Sequence, residues 1–221
     1  DSVGSEQAIR PGEVNWMTAG RGITHSERFE RARREGGMMN GLQAWVALPN
    51  EHEETEPAFA HHEGAELPIG EESGARLRLI AGEAYGLKSG VHVYSPLFYV
   101  HAELDAAADL ALPSEYSERA LYVVSGSVEI EGQRVQMGDM AVLKPGGAPR
   151  VRASESSTVM LLGGESVGPR FIEWNFVSSS KERIEQAKAD WRAGRMKLPD
   201  LDNGEFIPLP EEPAPAPNPM S

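Results

Sequence analysis

Between Arg76 and Leu162 the chain is broken into short apolar runs, with glycine, proline or aspartate turns between them. Arg76–Ile80, Leu97–Leu104, Ala120–Val124, Ser127–Ile130, Met140–Leu143 and Thr158–Leu162 read as strands, punctuated by Gly126, Gly138 and Pro145-Gly146-Gly147. A chain interrupted this often buries its apolar residues by stacking short strands, so the pattern predicts an all-β sandwich or barrel. Glu131-Gly132 is the predicted tip of a hairpin. A further strand is expected over Leu42–Leu48, where Gln43 and Trp45 would share one face and Ala44 and Val46 the other.

One helix interrupts this pattern. Lys181–Arg195 carries Ile184, Ala187 and Trp191 on one face, Ser179 and Glu182 fit a capping box, and Gly194 supplies a left-handed stop. It is expected to pack on the outside of a barrel. The segment Glu51–Gly74, rich in Glu, His, Pro and Gly, reads as a long surface connection, with His52, His61 and His62 as linker residues. The proline-dense Pro213–Pro219 is expected to be extended and mobile.

Composition limits the function classes. The 221 residues suffice for two domains, and with no cysteine there are neither disulfides nor thiolate metal ligands. No apolar run approaches the ~18 residues of a spanning helix, and no basic-then-apolar leader is present, so a cytoplasmic protein without a membrane partner is expected. A net charge of −13 repels nucleic-acid phosphate and argues against direct nucleic-acid binding. The one basic cluster, Arg28, Arg31, Arg33 and Arg34, is interleaved with Glu27, Glu30 and Glu35 and reads as a solvated turn.

The chemistry-bearing stretch is Trp16–Glu27. After a glycine-rich turn it places His25 and Glu27 two positions apart, and on an extended strand such residues look to the same side. An imidazole nitrogen and a carboxylate oxygen are half of a ligand set for zinc or non-haem iron.

The run Pro11–Glu27 (PGEVNWMTAGRGITHSE) resembles a metal motif of the pirin family, a group of bicupins. Gly41–Pro49 resembles the strand that follows in pirins, and Glu205–Pro210 their terminal segment. The resemblance implies an all-β fold of two cupin-type β-barrels with a short C-terminal helix and an extended tail. Residues 1–65 would be the remainder of an N-terminal barrel, 66–175 a C-terminal barrel and 176–221 the helix and tail. It also implies a four-ligand metal site, in which His25 and Glu27 match two ligands. The other two form a His-x-His pair on an earlier strand, and no His-x-His occurs in this sequence. The chain is therefore expected to lack the front of its first barrel.

Fe(II) is the metal expected from the resemblance, with Zn, Mn, Ni or Cu also suited to nitrogen and oxygen ligands. Glu27 is also the candidate catalytic base, and Met17, Gln43 and Trp45 are candidate pocket residues. Gly12–Glu27 and Gly138–Arg150 share a glycine, a short apolar strand and a glycine-rich turn. In the second copy Arg150 or a near neighbour stands at the ligand position, and a guanidinium cannot ligate a metal, so the second barrel is expected to be metal-free. The implied activity is quercetin 2,3-dioxygenase-type oxidation of a small aromatic substrate. The alternative is a non-enzymatic, metal- or redox-responsive regulatory protein that acts through a protein partner.

Overall fold

The computed structural model describes residues 1–210 and the backbone of residues 219–220. Pro213–Pro219, expected to be an extended tail, therefore falls outside the described residues except at its last position. The chain forms two compact units. A barrel unit comprises Ile9–Trp16 and Ala60–Ser166, and a terminal unit comprises Asp1–Ala8, Met17–Phe59 and Val167–Ser221.

In chain order the elements are β1 (Val14–Thr18), α1 (Glu30–Glu35), a 3-10 turn at Asn50–His52, β2 (Ala58–His62), β3 (Ile69–Glu72), β4 (Ala75–Ala84), β5 (Leu87–Lys88), β6 (Leu97–Leu104) and β7 (Asp109–Ala111). There follow β8 (Glu118–Ser125), β9 (Ser127–Ile130), β10 (Gln133–Gln136), β11 (Met140–Leu143), β12 (Arg150–Ala153), β13 (Ser157–Gly164), β14 (Arg170–Glu173), β15 (Phe176–Ser178), α2 (Lys181–Arg192) and β16 (Pro219–Met220). Strands dominate, as the sequence pattern predicts, and each of the six runs from Arg76 to Leu162 lies in a strand.

The barrel unit holds two antiparallel sheets. One runs β11-β8-β13-β6-β4-β3 with β5 on β4, and the other runs β10-β9-β12-β7. Period-2 alternation decides which side chains meet. On β6, Phe98, Val100, Ala102 and Leu104 are buried in the core, whereas His101 is half-buried and Glu103 exposed. Leu77 and Leu79 of β4, Leu121 and Val123 of β8, Val128 and Ile130 of β9, Val151 of β12 and Val159 and Leu161 of β13 lie in the same core. Burying each such side chain stabilises the fold by about 1.5–3 kcal/mol.

The hairpin tip forms where expected. Ile130 pairs with Gln133, and Glu131 and Gly132 both take positive φ, 50° and 76°. Two successive left-handed residues give a type I′ turn, whose twist matches that of the strands. At Gly82 the φ of +77° coincides with close packing, because a Cβ there would overlap the carbonyl oxygen of Leu97.

Four local expectations are corrected. Glu51–Gly74 is not a bare connection: it contains the 3-10 turn, β2 and β3, and His61 is tied by a 2.8 Å contact between its Nδ1 and Asn15 Oδ1. A strand is defined by a backbone ladder with a neighbouring strand, and Leu42–Leu48 joins no such ladder among the described residues, so its alternation produces no strand. The helix cap is Ser180 rather than Ser179. Its Oγ accepts from Arg183 N–H at 3.2 Å and donates to Glu182 at 2.9 Å, while Ser179 bonds instead to Glu53. Finally, α2 ends at Arg192, three residues before the expected end, and packs on β14 and β15 within the terminal unit.

Gly194 supplies the predicted stop, with φ +65° and its N–H on Trp191 O. Ile184 and Ala187 are buried beneath the helix. Trp191 stacks obliquely on Trp174 and edge-on to Phe206, and its indole donates to Ile207 O at 3.0 Å, which fastens Phe206 and Ile207 to the helix.

Candidate metal-binding segment

β1 ends at Thr18, and the glycine-rich turn that follows is sterically defined. Gly20 takes φ +52°, and a side chain there would overlap the Thr55 carbonyl, to which Arg21 N–H donates at 3.0 Å. Beyond it the chain carries Thr24-His25-Ser26-Glu27-Arg28 without regular secondary structure. Both ends of this run are bound to one other segment of the terminal unit, residues 197–205. Thr24 Oγ1 donates to Lys197 O at 2.5 Å. Ser26 lies beside Asp202 and helps to lower its carboxyl. Arg28 clamps Asp202 through Nε and Nη2 at 2.5 and 2.6 Å and reaches Glu205 at 2.7 Å. Thr24 is also paired with Ser2 through both its N–H and its carbonyl.

Thr24 and Arg28 are bonded to residues 197–205, whereas His25 and Glu27, exposed like Ser26 and Arg28, are not bonded to that segment. The segment is not the regular strand that the i, i+2 argument invoked, because no ladder pairs it. It is held instead by side-chain tethers at both ends.

The electrostatics of the tether are strong. Hydrogen bonds from Arg28, helped by the adjacent Ser26, pull the Asp202 carboxyl down to about 2, and the contacts with Asp202 and Glu205 push the Arg28 guanidinium upward. Arg28 is therefore a structural clamp. Of the other arginines in the basic cluster, Arg31 and Arg34 both pair with Glu35 around α1.

The pocket candidates diverge. Met17 is half-buried on β1, while Gln43 and Trp45 are exposed, Trp45 by 52%. Among the described residues no group of three or more His, Asp or Glu side chains is arranged to hold a metal. His25 and Glu27 have the right donor chemistry for a divalent metal, but alone they make only half of a four-ligand set.

Arg150 opens β12 on the barrel unit, where its Nε lies 2.8 Å from Asp109 and holds that carboxyl below its usual range. Its observed role is an ion pair between β12 and β7.

The residues that sequence reading missed are the tethers. Thr24 and Arg28 were visible as polar residues on either side of His25 and Glu27. Nothing local marked their partners at Lys197, Asp202 and Glu205, more than 170 positions away.

The Pirin family model matches residues 1–46, and the Pirin C-terminal cupin domain model matches residues 99–197. A pirin-like protein of Caulobacter vibrioides is 68% identical over 212 residues, covering 96% of this chain and 74% of the relative. This chain belongs to the pirin family. Human pirin is 32% identical over 200 residues, covering 87% of this chain and 68% of its own. A crystal structure of quercetin 2,3-dioxygenase from Acinetobacter baumannii superposes with a TM-score of 0.77 at 29% identity, covering 88% of this pirin and 70% of that chain. The all-β, cupin-type class expected from the sequence is thus the one found. Among the described residues no helix is long and apolar enough to cross a membrane.

Proposed function

We propose that this pirin serves a metal-dependent dioxygenase of the quercetin 2,3-dioxygenase type, with a small aromatic substrate and with His25 and Glu27 as its contribution to the metal site. The observation that carries this reading is the tethered run Thr24–Arg28, which is anchored at both ends and leaves an imidazole and a carboxylate free two positions apart. The similarity to a quercetin 2,3-dioxygenase structure supports the substrate class.

His25 would hold the ion as a neutral imidazole and Glu27 as a carboxylate, with the remaining ligands, a His-x-His pair on the family's pattern, coming from outside these 221 residues. A bound divalent metal, iron by family resemblance, supplies the Lewis acidity and the dioxygen chemistry. Glu27 would also accept the proton of a substrate hydroxyl at a carboxylate oxygen. The clamp from Arg28 to Asp202 fixes the backbone on one side of Glu27, and the bond from Thr24 to Lys197 fixes it on the other side of His25. An interaction role through a free basic surface at Arg28–Arg34 is less well supported, because Arg28, Arg31 and Arg34 are each engaged by carboxylates.

The test is metal titration followed by quercetin turnover under air. The 221-residue chain is expected to bind iron or zinc weakly, and His25→Ala or Glu27→Ala to abolish that binding while Arg150→Ala leaves it unchanged. Expressed behind a segment that carries the His-x-His pair, the chain should retain metal and oxidise quercetin. Metal binding that survives both His25→Ala and Glu27→Ala would refute the assignment.

A further inference from the structure

Arg119 and Arg170 are the two buried arginines among the described residues, each 2% exposed. Arg170 has a counter-ion, because Glu53 Oε1 lies 2.6 Å from its Nε. Arg119 is different. Among the described residues its guanidinium meets backbone carbonyls and no carboxylate. Nη1 donates to Gly147 O and Nη2 to Lys144 O, each at 3.3 Å, and Nη2 also donates to Gly146 O. The Nε–H is buried with no partner. Cross-strand neighbours supply no charge either: on β8 Arg119 stands opposite Gly163 of β13 and Leu143 of β11. It shares the inward parity of Leu121 and Val123, while Glu118 is exposed on the other face. Carbonyl dipoles solvate a cation without neutralising it, and a buried charge without a counter-ion is costly. The barrel unit thus holds a fixed cation with one donor unused.

We propose that Arg119 anchors an anion site inside the barrel unit, which takes a small monocarboxylate beneath the turn Lys144–Gly147. The Nε–H donates to one carboxylate oxygen, and the charge of the anion balances that of the guanidinium. A single negative charge fits this site. Its neighbours Leu143 and Gly163 are apolar, so a dianion would leave an excess buried charge. The turn is the route in. Lys144, Pro145, Gly146 and Gly147 are all exposed. Gly146 and Gly147 take φ of +83° and +70°, and a Cβ at either would meet nothing within 4 Å. The two 3.3 Å bonds from Arg119 are long for their type. The turn can therefore swing outward at little cost. Lys144, at its start, adds positive charge at the entrance of a protein whose net charge is −13. The site is separate from His25 and Glu27 and does not rest on a metal there.

Proton–nitrogen NMR of the arginine Nε–H groups in the 221-residue protein reads this directly. Sodium acetate is titrated to about 100 mM against sodium chloride of equal ionic strength. The expected result is a saturable shift of the Arg119 Nε–H with a millimolar dissociation constant, while the Nε–H of Arg170, already beside Glu53, stays in place. Inorganic phosphate should bind more weakly than acetate. Acetate should also raise the thermal midpoint to a plateau, and Arg119→Gln, verified as folded by far-UV circular dichroism, should lose that rise. The NMR titration uses the unaltered protein, so it decides the matter even where Arg119→Gln does not fold. An Arg119 Nε–H that does not move, one that moves without saturating in step with the exposed arginines, phosphate binding as tight as acetate, or a rise in midpoint that survives Arg119→Gln would each overturn the proposal.

Discussion

Replacing Arg170 should unfold the terminal unit selectively. Its side chain is 2% exposed and stands at the start of β14. Its Nη2 donates to Leu48 O at 2.7 Å, and its Nη1 donates to Gly168 O and Pro169 O at 3.2 and 3.0 Å. Its Nε lies 2.6 Å from Glu53 Oε1 but off the hydrogen-bonding line, so that contact is ionic. Glu53, itself 15% exposed, is also bound by the N–H and Oγ of Ser179 at 2.9 and 2.8 Å. One guanidinium therefore ties residues 48–53 to β14 and, through Glu53, to the start of α2.

Arg170→Ala leaves a mostly buried carboxylate without its cation and removes the donor to Leu48 O. Breaking a buried pair from one side costs about 3–5 kcal/mol, and the lost carbonyl bonds fall within that range rather than adding to it. Arg170→Lys keeps the charge but loses the fork and should cost about half as much. Urea unfolding followed by tryptophan fluorescence suits the measurement, since Trp174 and Trp191 lie in the same unit. A double-mutant cycle with Glu53→Leu should show coupling of about 1–3 kcal/mol. An Arg170→Ala protein within about 1 kcal/mol of the original, or a cycle that is simply additive, would refute the reasoning.

Three further outcomes follow from single contacts. Asp202 is held at about 2 in the folded chain against an ordinary 3.8, so its contribution is complete above pH 4 and is lost as the pH falls towards 2; hydrogen exchange of residues 24–28 should accelerate over that window and not above it. Ser180→Ala removes the N-cap of α2 and should cost about 1 kcal/mol in thermal unfolding, whereas Ser179→Ala should act through Glu53 instead and couple to Arg170. Gly82→Ala must place a side chain against the Leu97 carbonyl at positive φ, and should lower stability by at least about 2 kcal/mol by chemical denaturation.

The sequence by itself determined the barrel unit. Its strands are short, alternate in polarity and are separated by glycines with positive φ, so the local pattern and the final packing agree at Phe98–Leu104 and at Glu131-Gly132; in the terminal unit they agree along the buried face of α2. It also singled out His25 and Glu27 by residue type and spacing. Tertiary structure alone decided what holds those two residues. Among the described residues Leu42–Leu48 alternates as a strand should yet joins no strand ladder, and Thr24–Arg28 has no ladder yet is held at both ends by Lys197, Asp202 and Glu205. Side-chain periodicity states which faces a segment can present. Whether a partner arrives to meet either face depends on residues far along the chain, and no local pattern encodes that.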